Sequence, residues 1–419
     1  MPRPFSRTYH DPLHGAITLD SADPTEALLI RLIDTPAFQR LRRIRQLGPA
    51  SLTFHGAEGS RFTHSLGVMY VARRVFDRLA KRYPTLQPHR TATLCAALLH
   101  DIGHGPFSHS SEEMFQGNHE GWTQRILQES PDLRTLLDAV SPQLIDQITQ
   151  IYSKQYPVPL ASQLVTSQLD CDRLDYLMRD SYFTGASYGR LDLDRIILAL
   201  DYDPDSQQLI VARKGLAAIE HYLVVRYFMY AQVYNHPKII AASWLLERIV
   251  HRARQLVLDH QLTADDTLTA WLTQPNAQLS LSDFLAADDG VLLYHFQRWC
   301  THADGILQDL CRRYRDRDLF KAQDISHLTE SQRAVLGKIA RSALGARHWS
   351  AEYYVGLQQA TTRGYTLYQR GIQIKTATGL TEISELSPLV QTLIQPRQHT
   401  WLVYPRDIEA DLGPALRSP

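Results

Sequence analysis

The sequence lacks the features of membrane-spanning, disordered and secreted proteins. No stretch of its 419 residues reaches the roughly 18 consecutive apolar residues that a membrane-spanning helix requires. Its 21 glycines and 21 prolines are too few for a low-complexity chain. The opening residues contain no apolar segment typical of a secretory signal. We therefore expect a folded, cytoplasmic protein that does not insert into membranes.

Cysteine is scarce, and neither sign of charge is in excess. The four cysteines have no C-x-x-C spacing, which argues against a disulfide framework or a thiolate zinc site. Lysine plus arginine and aspartate plus glutamate number 44 each, so the chain has no general electrostatic attraction to nucleic acid or to membranes. Nucleic acid is therefore not an expected partner, and any anion site must be built locally.

Most of the first 345 residues have helical periodicity, whereas β-branched and aromatic residues dominate short segments after residue 350. The predicted fold class is mainly α, with a small C-terminal α+β lobe. The predicted domains are a helical domain over 1–345, with a core at about 40–240, and a lobe over 346–419. Connectors are predicted at 201–208 and 259–289. The predicted helices are 64–79, 94–101, 161–182, 214–234, 238–258, 290–315, 330–345 and 384–394, and the predicted strands are 365–375 and 400–404.

Histidine is clustered, since His100, His104, His109 and His119 fall within twenty residues. His100 and Asp101 follow a wholly apolar segment, 94–99, which predicts that a buried helix ends in a His-Asp pair. The periodicity also turns His64 inward on its helix. On the helix predicted over 161–182, it places Asp172 with Tyr176 and Asp180 on one face, and Asp170 and Asp175 elsewhere.

Burial of these groups predicts a metal site. His64, His100, Asp101 and Asp172 each lie at the inner face or the end of an apolar helix, and burying such groups unpaired costs several kcal/mol each. They should pair with one another as core residues or hold a cation. A set of two nitrogens and two carboxylates suits Fe, Mn, Zn or Co. The adjacent His-Asp pair, with His104 one turn later, favours a bound cation over mutual pairing of these side chains in the core.

The order H…HD…D resembles that of the HD-domain metal-dependent phosphohydrolases. The surrounding segments are similar to those of the deoxynucleoside-triphosphate (dNTP) triphosphohydrolase branch, which includes vertebrate sterile-alpha-motif/HD enzymes and bacterial relatives. The matching segments are DPLHGAITL (11–19), IDTPAFQRLRRIRQLG (33–48), RFTHSLGV (61–68), HDIGHGPFSH (100–109), LDCDRLDYLMRDSYFTG (169–185), VYNHPK (233–238), RDLFK (317–321) and YQRGIQIKTATG (368–379).

This resemblance implies an HD helical core that hydrolyses dNTPs to deoxynucleoside and triphosphate, with Mg accompanying the nucleotide. The implied metal ligands are His64, His100, Asp101 and Asp172. The implied catalytic residues are His119, His104, Glu120 and Arg61, with His119 at the leaving 5′ oxygen. The implied substrate-binding residues are Gln46, Leu47, Arg61, His104, His109, Arg173, Tyr176, Asp180, Arg226 and Tyr234.

The resemblance also implies regulation by an activating GTP or dNTP bound between subunits of a homo-oligomer, a dimer or a tetramer. The implied residues of the first nucleotide site are Arg7, Asp34, Gln39, Arg42, Arg317 and Lys321. Lys214 and Lys375 fit a neighbouring deoxynucleotide site, where Ala218 replaces an expected polar side chain. The alternative for segment 40–46 is a solvated basic helix face.

Two other functions fit parts of the pattern. An HD phosphodiesterase or nuclease would use the same metal on nucleic acid or a cyclic nucleotide, because the HD core supports several phosphoester substrates. A nucleotide-sensing module would bind nucleotides at these sites without catalysing a reaction. The intact metal set together with His119 favours the dNTP hydrolase.

Overall fold

Apolar residues at three- and four-residue spacing build a mainly helical molecule around one continuous core. In our computed structural model, which describes residues 5–367 and 371–416, the described chain forms 22 α-helices and nine β-strands. The predicted fold class is confirmed. No helix of these ranges combines the length and apolarity needed to cross a membrane.

The helices of the first half surround the core. They are α1 (Pro24–Ile33), α2 (Pro36–Gln39), α3 (Arg61–Arg82), α4 (Arg90–Leu99), α5 (His109–Phe115), α6 (His119–Glu129), α7 (Pro131–Asp138), α8 (Leu144–Tyr152), α9 (Pro159–Val165), α10 (Cys171–Thr184) and α11 (Leu193–Ala199). Helix α3 packs against both α4 and α10.

The second half continues with shorter helices and one long one. They are α12 (Leu216–Met229), α13 (Pro237–Leu258), α14 (Asp266–Thr273), α15 (Leu281–Ala286), α16 (Asp289–Trp299), α17 (Gly305–Arg315), α18 (Glu330–Gly345), α19 (Ala351–Tyr354), α20 (Ile383–Leu386), α21 (Pro388–Leu393) and α22 (Glu409–Leu416). A π-helical segment, Tyr230–Tyr234, directly follows α12.

Three small sheets complete the fold. The strands are β1 (Ser6–Asp11), β2 (Gly15–Asp20), β3 (Leu200–Asp203), β4 (Gln208–Ala212), β5 (Lys321–Asp324), β6 (Gly356–Thr362), β7 (Gln373–Thr376), β8 (Gly379–Glu382) and β9 (Arg397–Tyr404). β1 and β2 form a hairpin, and the other sheets have the orders β3-β4-β7-β8 and β5-β9-β6. All pairings are antiparallel except β4 with β7, which is parallel.

Two of these sheets join strands from both sides of residue 345. β4 pairs with β7, and β5 pairs with β9, so the segment over 346–419 shares hydrogen bonds with strands of the preceding region. The predicted boundary at 345 therefore does not separate two independent sheets. Residues 368–370, part of the strand predicted over 365–375, lie outside the described residues.

Several predicted helix bounds were wrong. The helix predicted over 161–182 is two helices, because the Asp170 side chain accepts the Arg173 N–H and starts α10. The helix predicted over 290–315 is likewise divided, because Asp304 caps a new helix. The helix predicted over 384–394 breaks at Ser387, which precedes Pro388. Strands β3 and β4 occupy part of the connector predicted at 201–208, and α14 and α15 lie in the one predicted at 259–289.

Candidate active site and metal centre

Three helix ends bring the predicted metal ligands together. His64 lies in the first turn of α3, His100 and Asp101 follow the last turn of α4, and Asp172 lies in the first turn of α10. Ligand atoms of His64, His100 and Asp101 all lie within 4.8 Å of one another. Asp172 Oδ1 lies 3.0 Å from His64 Nε2 and 3.7 Å from His100 Nε2.

The two histidines present nitrogen lone pairs to the two carboxylates. His100 Nδ1 donates to the Ala97 carbonyl at 2.9 Å, so its Nε2 carries the lone pair. That buried Nε2 has no hydrogen-bond partner among the described residues. His64 Nδ1 donates to Asp175 at 2.8 Å, which leaves its Nε2 free to act as a ligand. Two lone pairs that face two carboxylates fit a divalent cation, which would satisfy all four groups.

The electrostatics of this cluster favour positive charge at its centre. Burial would raise the pKa of both Asp101 and Asp172, but Arg61 beside Asp101 and the histidines beside Asp172 hold both pKa values well below the usual range. Burial would lower the pKa of His64, but hydrogen bonds to Asp172 and Asp175 outweigh it and raise that pKa to about 10. The ionised carboxylates therefore attract either a proton or a metal ion.

A second group of histidines lies beside the first. His104, His109, Glu112 and His119 also place ligand atoms within 4.8 Å of one another. The rings of His104 and His119 are stacked, with centroids 4.0 Å apart and planes 12° apart. Lone pairs lie in the plane of each ring, and two nearly parallel planes about 4 Å apart do not let them converge on one ion. The stack is better suited to bind oxygens of an anion or of a leaving group.

Glu112, which the sequence reasoning missed, orients this stack. Its Oε1 lies 2.6 Å from His119 Nδ1 and 3.1 Å from His109 Nδ1. Burial would raise the pKa of Glu112, but these histidines lower it to about 2, so the carboxylate is ionised. Glu120, a predicted catalytic residue, is exposed and does not line the adjoining cavity. The i,i+3 spacing of Glu112 from His109 on α5 would have been the signal.

A cavity of about 550 Å³ opens from the metal centre. Nine predicted residues line it: Gln46, Leu47, Arg61, His109, Asp172, Arg173, Tyr176, Asp180 and Tyr234. His104, His119 and Arg226 are close to these residues without lining the cavity itself. The cavity extends to β6, where Gln358, Gln359 and Ala360 of the C-terminal region form part of its wall, which the sequence reasoning did not predict.

Charged side chains of the cavity are held by identifiable partners. Arg61 donates from Nη1 to Asp101 Oδ2 at 2.5 Å and from Nε to Ser108 Oγ at 2.7 Å. Arg173 pairs with Asp170, and Arg226 Nη1 donates to Gln168 Oε1 at 2.8 Å. In addition, the Nε atoms of Arg173 and Arg226 are buried without a partner in the described chain. These guanidinium groups keep donors available for an anion.

Another part of the cavity wall carries a carboxyl group whose pKa is raised by burial. Burial raises the pKa of Asp180 to about 7, although a hydrogen bond from Tyr234, 2.8 Å long, opposes the shift. Tyr176 lies one turn before Asp180 on α10, and its ring packs edge-on against that of Tyr234 at 6.0 Å. A carboxyl group that is only partly ionised near neutral pH and two phenols suit hydroxyl groups rather than phosphates.

The residues of the predicted regulatory site fall into separate places on one chain. Arg7 Nη1 lies 2.5 Å from Asp34, and Arg42 Nε donates to Gln39 at 2.7 Å. Burial raises the pKa of Tyr9 to about 12, and the charges of Arg7, Asp34 and Arg42 also act on it, so these three residues lie near Tyr9 and are called here one surface patch.

The remaining regulatory residues are held by other partners. Arg317 donates to the Leu52 carbonyl, and Lys321 pairs with Glu409. No hydrogen bond or ion pair within 5–367 and 371–416 connects either residue to the patch. Lys375 of β7 lies opposite Ala212 of β4. Ala212 precedes Lys214 by two residues.

Comparison with known proteins identifies the family. The HD domain model matches residues 61–180, and the HD associated region matches residues 191–407. The chain belongs to the HD-domain family. This HD-domain protein is 36% identical over 416 residues to the uncharacterized protein YwfO of Bacillus subtilis, covering 97% of this chain and 93% of that one.

Further similarities of this HD-domain protein concern the helical core and the whole fold. It is 47% identical over 114 residues to the deoxynucleoside triphosphate triphosphohydrolase SAMHD1 of Xenopus laevis, which is 26% of this chain and 16% of that one. The crystal structure of a phosphohydrolase from Bacteroides thetaiotaomicron superimposes with a TM-score of 0.83 at 28% identity, covering 96% of this chain and all of the other. This HD-domain protein therefore carries a His/Asp cluster that is consistent with a divalent metal.

Proposed function

We propose that this HD-domain protein hydrolyses dNTPs to deoxynucleoside and inorganic triphosphate. The observation that carries the proposal is the cavity of about 550 Å³, whose lining includes Asp172 of the metal cluster, two arginines and the Asp180–Tyr234 pair. That volume suits a small organic molecule. The local similarity to SAMHD1, whose name states this activity, supports the same substrate class.

The charged end of the cavity would hold the phosphates. His64, His100, Asp101 and Asp172 would bind one Fe, Mn, Zn or Co ion, which supplies positive charge and Lewis acidity at the α-phosphate, and Mg would accompany the nucleotide. Arg61 and Arg173 would neutralise the triphosphate, which carries about four negative charges. Arg226 and His104, which lie close to the cavity without lining it, would also contact the phosphates. A net-neutral protein needs such local concentration of cations to bind this substrate.

Hydrolysis by water would break the bond between the α-phosphorus and the 5′ oxygen. His119 would donate the proton that the departing 5′ oxygen requires, and ionised Glu112 would keep the imidazole oriented. His109, which shares the same glutamate, would contact the phosphates from the cavity wall.

The part of the cavity wall around Asp180 would bind the deoxyribose. The Asp180 carboxyl and the phenols of Tyr176 and Tyr234 would contact the sugar. Gln46 presents a buried Oε1 that has no partner in the described chain and would accept a hydrogen bond from the 3′ hydroxyl. Leu47 would pack against the sugar face and exclude a 2′ hydroxyl.

We further propose that GTP or a dNTP activates the enzyme by binding between subunits of a dimer or a tetramer. Arg7 pairs with Asp34 and Arg42 with Gln39, whereas Arg317 and Lys321 have other partners. In this proposal a nucleotide would be held by residues of both groups, supplied by different subunits. Lys214 and Lys375 would contribute to a neighbouring deoxynucleotide site.

Product analysis tests the proposed reaction. Metal-loaded protein is incubated with each dNTP, alone and with GTP, and with the corresponding ribonucleotides, a cyclic nucleotide and a single-stranded oligonucleotide. We expect the dNTPs, and none of the other substrates, to yield deoxynucleoside and intact triphosphate. Release of pyrophosphate, or cleavage of the cyclic nucleotide or the oligonucleotide in preference to dNTPs, would replace the proposal with a phosphodiesterase.

A further inference from the structure

The DPLHG segment forms a turn that has no role in the reaction described above. It joins β1 to β2, and Asp11 Oδ1 accepts the N–H groups of Leu13 at 2.9 Å and His14 at 2.8 Å. Gly15 has a φ of +73°, in the left-handed region that favours glycine. The turn therefore fixes the backbone of His14 through side-chain capping and one glycine.

His14 points from this turn to the back of the metal centre. Its Nε2 lies 2.6 Å from Asp175 Oδ1, and both side chains are buried. The other oxygen of Asp175 accepts the hydrogen bond from Nδ1 of the predicted ligand His64. One carboxylate thus connects the β1–β2 turn to a metal ligand.

Arg179 completes a closed network around that carboxylate. Its Nε and Nη2 donate to the two oxygens of Asp175 at 2.7 and 3.0 Å, and its Nη1 donates to Asp11 Oδ2 at 2.8 Å. Asp11 therefore accepts hydrogen bonds both from the turn that contains His14 and from Arg179, which pairs with Asp175. Such a network leaves the carboxylate a single orientation.

We propose that His14 is a positioning residue for metal binding, acting through Asp175 on His64. With the Asp175 carboxylate fixed, His64 must keep its proton on Nδ1 and direct the Nε2 lone pair at the cation. Without His14, Asp175 Oδ1 keeps only the longer hydrogen bond from Arg179, at 3.0 Å, so the carboxylate is held less tightly against His64. This inference rests on the metal ligation in the proposed function.

The same histidine is accessible from the reverse side of α10. A second cavity, of about 640 Å³, is lined by His14 together with Tyr70, Arg74 and Met178. A small molecule from solution can therefore reach the space that a truncated side chain at position 14 would leave. This access makes chemical rescue by imidazole possible.

Metal affinity of the full-length protein tests the role of His14. The dissociation constants of Mn²⁺ and Co²⁺ are measured by equilibrium dialysis for His14→Phe, which keeps a ring without a donor, and for His14→Gln, which keeps a donor. We expect the Phe variant to bind metal about 10–100-fold more weakly, the usual range for partners of metal ligands, and the Gln variant to stay close to wild type. His89→Ala removes a histidine bonded to Tyr156 and serves as the control.

Imidazole rescue gives a second, independent readout. Metal affinity lost in His14→Ala should return on addition of millimolar imidazole, whereas imidazole should not change the affinity of His14→Phe, whose ring fills the space. Unchanged metal affinity in His14→Phe, or in His14→Ala if the Phe variant does not fold, would overturn the proposal. Because metal affinity is measured without substrate, failure here is distinguishable from failure to hydrolyse dNTPs.

Discussion

Asp172 carries the most direct test of the metal centre at the scale of single residues. Asp172→Ala removes one of four ligand groups, so metal content should fall and turnover should drop at least about 100-fold, beyond the range for residues that only orient ligands. Elemental analysis and product assays measure the two effects. Asp170→Asn is the control, because Asn keeps an oxygen that can accept the Arg173 N–H at the start of α10. Full metal occupancy with normal turnover in Asp172→Ala would reject this ligand assignment.

His119 tests the chemical step separately from the metal. A protonated imidazole is useful chiefly as charge builds on the leaving oxygen, so His119→Ala should lower kcat by about 10²–10⁴-fold with metal content unchanged. Glu112→Gln should lower kcat less, since it removes the charge that orients His119 but keeps the ring. Steady-state kinetics on a dNTP give both values. A raised KM with normal kcat would make His119 a binding residue.

Asp180 gives a pH dependence whose sign follows from its environment. Burial raises its pKa to about 7, above the unfolded value of about 4, so the native state retains a proton that the unfolded state releases. The free energy of unfolding should therefore fall as pH rises from about 4 to 7, by a few kcal/mol at about 1.4 kcal/mol per pKa unit.

Asp180→Asn should flatten that part of the stability profile. The amide stays neutral, so the variant should be more stable than wild type above pH 7 and similar to it near pH 4. Urea unfolding of metal-loaded protein at pH 5 and pH 8 measures the difference, because bound metal keeps the ligand histidines from titrating. An identical pH profile in the variant would assign the dependence to another group.

At the scale of helices, Gly67 sets how closely α3 approaches α10. A Cβ at this position would lie 2.0 Å from Asp175 Oδ1 and 2.5 Å from Arg179 Nη2. Gly67→Ala should therefore lower the free energy of unfolding by about 3 kcal/mol or more, the upper range for overpacking, and should weaken metal binding through Asp175.

A second helical glycine provides the matched control for Gly67. A Cβ at Gly337 on α18 would meet only the Arg341 side chain, at 3.6 Å. Gly337→Ala should raise the free energy of unfolding by about 0.5–1 kcal/mol, because alanine favours helix. Urea unfolding of both variants makes the comparison. Equal effects of the two substitutions would show that contact with Asp175 does not limit the packing of α3.

Helical periodicity predicted which faces meet at the site better than where the helices begin. The apolar stripe from His64 onward lies within α3, and Asp172, Tyr176 and Asp180 line one cavity as their spacing indicates. The division between α9 and α10 was missed because the spacing treats Asp170 as a position within one helix, whereas its side chain caps α10.

Residues that depend on distant partners could not be predicted from local pattern. Asp175 lies on the face of α10 opposite the cavity, where the pattern gave no reason to expect a contact with His64, and its other partner His14 is 161 positions away. Strands β5 and β6 are short and partly polar, and each is formed by pairing with β9 near the end of the chain. Their positions follow from tertiary pairing rather than from alternation.

At the scale of the whole molecule, the exposed patch that contains Asp34 and Arg42 tests the proposed assembly. Asp34 makes a surface ion pair, which contributes about 0–1 kcal/mol, and Arg42 is exposed although its guanidinium lies over the Phe62 ring. Asp34→Ala with Arg42→Ala should therefore preserve the fold and the metal content. We expect the double variant to lose nucleotide-dependent assembly and activation, because a bridging nucleotide stabilises an oligomer by mass action.

Sedimentation at micromolar protein, with and without GTP or mixed dNTPs, measures that assembly. Arg82→Ala, which removes an exposed ion pair with Asp201 away from the patch, is the control. A wild-type protein that stays monomeric and hydrolyses a single dNTP at full rate without a second nucleotide would reject regulation. The catalytic proposal would be unaffected by that result.

The parallel pairing of β4 with β7 also shapes how the chain folds during synthesis. Val211 of β4 lies opposite Ile374 of β7. Strand β4 therefore leaves the ribosome long before β7 has been synthesised. At typical rates of translation the delay is roughly 8–30 s, during which a nascent chain exposes an unpaired strand edge. Genes interrupted after codon 345 would keep that edge open permanently. We therefore expect such truncated polypeptides to aggregate or to require chaperones, even though they encode every metal ligand.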